Sequence, residues 1–110
     1  MFYYIYILEC INNTYYTGYT TDIERRYQEH LKGSAKCKYT RSFPPQAIAS
    51  CWQLSLELSY TLKIERLIKA LSKNEKHRII LEPSLLLAIL KKQGYDQEIL
   101  DKIQYYPIQT

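Results

Sequence analysis

Paired cysteines, glycine, proline and long apolar runs are all scarce in this sequence, and each shortage removes a class of protein. The 110 residues hold three cysteines, Cys10, Cys37 and Cys51, an odd number with no C-x-x-C pair. That argues against both a disulfide framework and a zinc knuckle, and the thiols are expected to be reduced and buried. With only 3 glycines and 4 prolines beside 46% hydrophobic and 24% charged residues, the composition is that of a globular chain and not a disordered one. No stretch approaches the roughly 18 uncharged apolar residues of a membrane span, and the N-terminus lacks the basic start and cleavage site of a signal peptide. A cytoplasmic protein without membrane contact is expected. No internal repeat or low-complexity segment is present.

The net charge is only +4, but acids are absent where bases gather. Lys32, Lys36, Lys38 and Arg41 span ten residues with no acid among them, and Lys63 to Arg78 holds six basic residues against Glu65 and Glu75. From Pro83 onward the charges cancel. Two basic segments around a neutral remainder suit a polyphosphate backbone better than a small acidic metabolite.

Aromatic and β-branched residues at 2–9 and 14–19, separated by Asn12-Asn13, give a β-hairpin signal. Asp22 is placed to cap a helix whose apolar residues Ile23, Tyr27 and Leu31 recur at spacing four, with Gly33 as its stop. A basic loop follows from Lys32 to Pro45. Residues 46–54, with Ile48, Trp52 and Leu54, read as a third, more central strand. Tyr60, Ile64, Leu67, Ile68 and Leu71 then fall at helical intervals, with a further turn or two at 74–81. The order strand, strand, helix, strand, helix, helix predicts an α+β fold with a small, mostly antiparallel three-stranded sheet. Glu82-Pro83 marks a break. Residues 1–82 would form the main domain, and 83–110 a C-terminal helical extension, with helices at 84–93 and 96–103, packed on that domain or on a partner subunit. The chain would then be a monomer or a homodimer.

Two tyrosine clusters ten residues apart, Tyr4-Ile5-Tyr6 and Tyr16-Thr17-Gly18, precede Arg26 and His30, one turn apart on the first helix. Phenols, a guanidinium and an imidazole beside a basic surface form a set able to attack and stabilise a phosphodiester. The pattern resembles the GIY-YIG nuclease family, small single-domain bacterial branch. Tyr4-Ile5-Tyr6 and Tyr16-Thr17-Gly18 match its two tripeptides, with Tyr4 in place of the first glycine. Arg26, His30 and Glu65 match its arginine, histidine and long-helix glutamate. The stretch Ile68 to Lys76 is similar to the segment after that glutamate, and Tyr19 stands where some repair nucleases of the family carry lysine. The likeness covers residues 2 to about 81.

The resemblance implies a metal-dependent endonuclease that hydrolyses DNA with low sequence specificity, in DNA repair or processing, with one Mg²⁺ or Mn²⁺ as cofactor. RNA stays open as an alternative substrate. Glu65 would be the metal ligand, since a lone carboxylate plus water and phosphate suits an ion that keeps much of its hydration shell. Against that, an i,i+4 pair with Lys69 would account for Glu65 structurally. Arg26 would stabilise phosphate charge, the competing explanation being a pair with Glu29 or Glu9. His30 would relay a proton or bond a catalytic tyrosine. Tyr16 is the candidate general base and Tyr6 the group orienting water or phosphate. Lys38 and Arg41 in the basic loop, and secondarily Lys69 and Lys73, are the expected nucleic-acid contacts.

The hairpin register decides whether the two phenols can cooperate. A two-residue turn at Asn12-Asn13 would pair Tyr6 with Tyr19 and put Tyr6 and Tyr16 on opposite faces. A three-residue loop, Ile11 to Asn13, would pair Tyr6 with Gly18 and Tyr16 with Leu8, placing both on one face. The family resemblance predicts the second, with Gly18 leaving space beside Tyr6. Two other readings stay open: a non-catalytic nucleic-acid-binding module of the same fold, and a scaffold protein whose tail mediates assembly.

Overall fold

A computed structural model of the protein describes residues 1–34 and 37–108; Lys36 of the basic loop lies outside them. The elements run β1 (Tyr3–Cys10), β2 (Tyr15–Thr20), α1 (Ile23–Lys32), α2 (Lys38–Ser42), β3 (Pro45–Leu54), α3 (Leu58–Ala70), α4 (Lys73–Leu81), α5 (Leu85–Lys92), α6 (Gln97–Leu100) and β4 (Ile103–Tyr105). The sheet is antiparallel in the order β2-β1-β3-β4. The α+β class is as expected, but the sheet has four strands and not three. Its extra strand, β4, comes from the C-terminal segment. Three residues are too few for a period-two pattern to register, and β4 exists because Trp52, Gln53 and Leu54 offer it a ladder.

The β1–β2 connection is the three-residue loop. Cys10 and Thr14 close it through a backbone bond of 2.9 Å, and Asn13 takes the left-handed conformation at φ 59°, which asparagine tolerates better than most residues. Tyr6 therefore pairs with Gly18 and Leu8 with Tyr16. Between Ile7 and Leu8 the β1–β3 register shifts, Ile7 facing Ser50 and Leu8 facing Ile48; Ala49 is the extra residue of a bulge.

Alternation along β1 divides the interior in two. Ile5 and Ile7 pack with Trp52 and Leu54 against Ile64 and Ile68 of α3 and, further out, Ile79, Leu86, Leu90, Leu100 and Ile103. Tyr6, Leu8 and Cys10 turn to the other face, with Cys51, Ile23 and the half-buried Tyr4, Tyr16, Tyr27 and Tyr39. Leu86, Leu90, Leu100 and Ile103 all lie in the first cluster, so residues 83–105 share the core of the preceding domain. Leu90 is fully buried there. Leu90→Ala is expected to cost about 2–5 kcal/mol, the usual range for such a cavity, shown by a single cooperative urea transition shifted to a lower midpoint. An unchanged midpoint would mean that this segment folds apart from the rest.

Both helix stripes hold at their centres, with Ile23, Tyr27, Ile64, Leu67, Ile68 and Leu71 packed inward, and depart from the predicted ones at one edge. On α3 the buried residues are Thr61, Ile64, Glu65 and Ile68, while Tyr60 is exposed and meets Tyr95. On α1 the buried residues are Ile23 and His30, and Leu31 is exposed. The sheet-facing row of α1 thus becomes 23, 26, 27 and 30, the i, i+3, i+4, i+7 pattern of an amphipathic helix. The capping is as expected: the Asp22 carboxylate accepts from the Arg25 backbone N–H at 3.1 Å, and Gly33 closes the helix at φ 67°. All three cysteines are buried free thiols, and burial pushes the Cys51 thiol up to about 12. No helix among the described residues is long and apolar enough to cross a membrane.

Candidate active site

The tyrosine-bearing face of the sheet and the inner row of α1 meet at one point. Tyr6, only 1% exposed, places its hydroxyl 2.8 Å from His30 Nε2. The Arg26 guanidinium also reaches that hydroxyl, and it forms an ion pair with Glu29 at 3.1 Å. Tyr16 lies alongside, its ring centroid 5.2 Å from that of His30 and 6.5 Å from that of Tyr6. Tyr6 is enclosed, whereas Tyr16 is only half-buried.

Gly18 makes this arrangement possible. A Cβ at that position would stand 2.5 Å from the Tyr6 hydroxyl oxygen and 2.7 Å from Cζ, closer than any side chain allows. The ring of Tyr6 lies over the glycine because nothing else is there.

Burial decides the charge states. It pushes the Tyr6 phenol well above its ordinary range, against the smaller opposing effect of the Arg26 hydrogen bond. His30 is pushed down to about 4, by burial first and then by the nearby Arg26 charge. For Arg26, burial pulls the pKa down, but the hydrogen bonds to Tyr6 and Glu29 outweigh it and the net shift is upward. At neutral pH the cluster is therefore a neutral phenol, a neutral imidazole and a permanent guanidinium cation. Of the two roles expected for His30, the structure shows the bond to a tyrosine.

A short helix replaces the middle of the expected basic loop. In α2 the exposed Lys38 and Arg41 flank Tyr39 and the buried Thr40. Tyr39 stacks on Tyr16 at 5.6 Å with the planes 22° apart, and its hydroxyl hydrogen-bonds to Thr14 in the hairpin turn. His30 Nδ1 lies 2.6 Å from Thr40 Oγ1. Neither Thr40 nor the Tyr39 stack is signalled by sequence periodicity, because both depend on α2 folding back onto α1 and the hairpin. His77, given no role from the sequence, lies 3.0 Å through Nδ1 from the Tyr15 hydroxyl.

Glu65 is placed differently. It belongs to α3, which packs against β1 and β2 with Ile64 and Ile68 on the face away from Tyr6. Its side chain is 9% exposed and pairs with Lys69 Nζ at 3.4 Å. Tyr6, Tyr16, Arg26 and His30 are thus brought together by direct contacts, while the carboxylate stands on the element across the sheet, beside the edge strand that carries Tyr16 and Gly18. Lys73 donates from Nζ to the Asn13 carbonyl at 2.6 Å and so holds the hairpin turn. A groove of about 810 Å³ opens beside α1, lined by Ile23, Tyr27, Leu31, Ile48 and Ile108 among others, and its lining includes none of Tyr6, Tyr16, Arg26 and His30.

Comparison with known proteins matches the sequence to a family. The family model of the GIY-YIG catalytic domain matches residues 2–79. The chain is similar to the UPF0213 protein of Syntrophus aciditrophicus, 44% identical over 77 residues that cover 70% of this chain and 87% of that one. It is also similar to UPF0213 protein NP_0776A of Natronomonas pharaonis, 39% identical over 77 residues, covering 70% and 88%. Among solved structures, the solution NMR structure of UPF0213 protein BH0048 from Bacillus halodurans is 36% identical and covers 73% of this chain and 83% of that one, with a TM-score of 0.47.

Proposed function

The chain belongs to the GIY-YIG family, and from that premise we propose that it is a metal-dependent endonuclease hydrolysing DNA phosphodiester bonds with low sequence specificity. The observation that carries this reading is the packing of Tyr6, His30 and Arg26 into one buried cluster with the half-buried Tyr16 beside it. Isolated tyrosines in a strand would not gather a guanidinium under a sheet.

Hydrolysis requires a water made nucleophilic, a place for the charge that builds on the phosphate oxygens, and relief of the leaving oxygen. Tyr16, half-buried beside His30 and Tyr39, takes the proton of the attacking water onto its hydroxyl oxygen while passing its own hydroxyl proton to solvent. Arg26 stabilises the phosphate oxygens through its planar guanidinium, a permanent cation with five N–H donors. The neutral Tyr6–His30 pair orients Arg26 without adding a competing charge.

The donor set fits a hard, strongly hydrated cation. Glu65 offers carboxylate oxygen, and no group of three or more His, Cys, Asp or Glu side chains suited to a metal is found among the described residues. Zinc-type sites need three or four protein ligands, whereas Mg²⁺ keeps several waters and is held by one or two carboxylates and the substrate phosphate. Glu65 would therefore hold one Mg²⁺ or Mn²⁺, and such an ion, when bound, neutralises charge on the phosphate and the departing oxygen.

A nicking assay on single-stranded, duplex and branched DNA with Mg²⁺ or Mn²⁺ tests the reading, and metal-dependent product is the expected result. The ion pairs Arg26–Glu29 and Glu65–Lys69 favour one rival, a binding module in which these residues are only structural. It predicts DNA binding without product.

Lys38 and Arg41, exposed on the helix that stacks against Tyr16, are proposed to contact the backbone. Each lost phosphate contact should lower the slope of log affinity against log salt by about 0.9 for duplex DNA. Lys38→Ala with Arg41→Ala is therefore expected to reduce that slope by about 2, measured by fluorescence anisotropy in Ca²⁺, and to do so alike for unrelated sequences. A slope equal to that of the unaltered protein would remove both residues from the interface.

A further inference from the structure

Tyr6, His30 and Thr40 form a line of buried side chains that ends on the backbone of Cys37. Tyr6 Oη lies 2.8 Å from His30 Nε2, His30 Nδ1 lies 2.6 Å from Thr40 Oγ1, and Thr40 Oγ1 lies 3.3 Å from the Cys37 carbonyl oxygen. Tyr6, His30 and Thr40 are each only 1% exposed, so solvent is not the alternative partner for any of them. A neutral imidazole donates from one nitrogen and accepts at the other. The line therefore has two possible directions, and the groups at its ends choose between them.

At the Cys37 end the partner is a carbonyl, which only accepts. The Thr40 hydroxyl donates its single proton there, leaving its lone pairs toward His30 Nδ1. At the Tyr6 end the second neighbour is the Arg26 guanidinium, which only donates. The acceptor that faces the Tyr6 proton is His30 Nε2, at 2.8 Å. Both ends give the same answer. The opposite direction would leave the buried Tyr6 proton without an acceptor, a loss of the order of 1–3 kcal/mol, and would give up the Thr40 bond to the Cys37 carbonyl, which keeps the Arg41 backbone N–H at 2.9 Å as a partner.

We infer that Thr40 is a positioning residue that fixes His30 as the Nδ1–H tautomer, so that Nε2 is an obligatory acceptor for the Tyr6 hydroxyl. The lone pairs of Tyr6 are thereby turned to Arg26, and the aim of the guanidinium is set from α2 through three side chains. The assignment of hydrogens stands on its own; its consequence for cleavage rests on the nuclease reading.

The test begins with long-range ¹H–¹⁵N correlation of histidine-labelled protein, His77→Gln identifying the second ring. In the unaltered protein His30 is expected to show a protonated Nδ1 and a bare Nε2 at neutral pH. Thr40→Val, which replaces the hydroxyl by a methyl of similar size, is expected to lose that pattern. Thr40→Ser is expected to retain it. Cleavage should follow the spectra: Thr40→Val lowers kcat roughly tenfold or more with KM for DNA little changed, and Thr40→Ser restores it. A protonated Nε2 in the unaltered protein, or a bare Nε2 persisting in Thr40→Val, would overturn the inference. If Thr40→Val does not fold, the spectra of the unaltered protein and Thr40→Ser still decide it. The expected tautomer in a protein that cuts no DNA form would uphold the inference and refute the nuclease reading.

Discussion

Gly18→Ala is expected to destabilise the protein by about 2–4 kcal/mol and to abolish cleavage, an effect large for the addition of one methyl group. On backbone grounds alone the sign should be the reverse, because glycine in a strand interior is worse than alanine by roughly 0.5–1 kcal/mol. The contact decides otherwise. The new Cβ would meet Tyr6 at 2.5 Å on Oη, 2.7 Å on Cζ and 3.2 Å on Cε2. Neither party has room to yield: the two residues are paired across the β1–β2 ladder, and the phenol is enclosed and bonded to His30. Overpacking of this kind costs about 1–3 kcal/mol, and losing the buried hydrogen bond adds about 1 more. A double-mutant cycle with Tyr6→Leu, which removes all three of these atoms, separates this account from a general strand defect. If alanine at position 18 costs as much beside leucine as beside tyrosine, measured by urea denaturation, the phenol is not the cause.

Much of this packing is legible in the sequence because it rests on periodicity and caps, which are local. The residues alone left the register of the hairpin open between two turns; the family resemblance, which implies that Tyr6 and Tyr16 share a face, selects the pairing of Tyr6 with Gly18 that is observed. Asp22 and Gly33 bound α1 through side-chain and backbone chemistry that needs no tertiary contact. What escaped is what depends on distant segments meeting. β4 forms only because β3 presents an open edge; α2 has no side-chain cap and folds where Tyr39 can stack on Tyr16; and the Thr40–His30 bond joins residues whose spacing of ten carries no helical or strand signal. The stripes on α1 and α3 depart from expectation only at Leu31 and Tyr60, which are exposed. The observed faces also include polar side chains: His30 is held by Tyr6 and Thr40 from other elements, whereas Thr61 and Glu65 bond to Glu57 and Lys69 of α3 and its cap.

The buried glutamate and the arginine under the sheet make the strongest demand on the proposed activity, because each has an ion-pair partner that would account for it without chemistry. Structural and functional roles predict opposite stability changes at Glu65. A carboxylate whose side chain is 9% exposed, with a half-exposed lysine at 3.4 Å, is largely desolvated for a modest return, and replacing such a group by an apolar one of similar volume is often neutral or stabilising. Glu65→Met is accordingly expected to fold at least as stably as the unaltered protein while cleavage falls by a factor on the order of 10²–10³, the range found when one group stabilising transition-state charge is removed. Arg26→Lys is expected to lose a similar factor although its charge is kept, since an ammonium cannot hold Tyr6, Glu29 and a phosphate with one planar fork. Thermal melts and single-turnover cleavage on the same preparations check both variants. Loss of stability and activity in proportion would reduce Glu65 and Arg26 to structural ion pairs. Undiminished cleavage in either variant would place the reacting phosphate somewhere other than beside Tyr16.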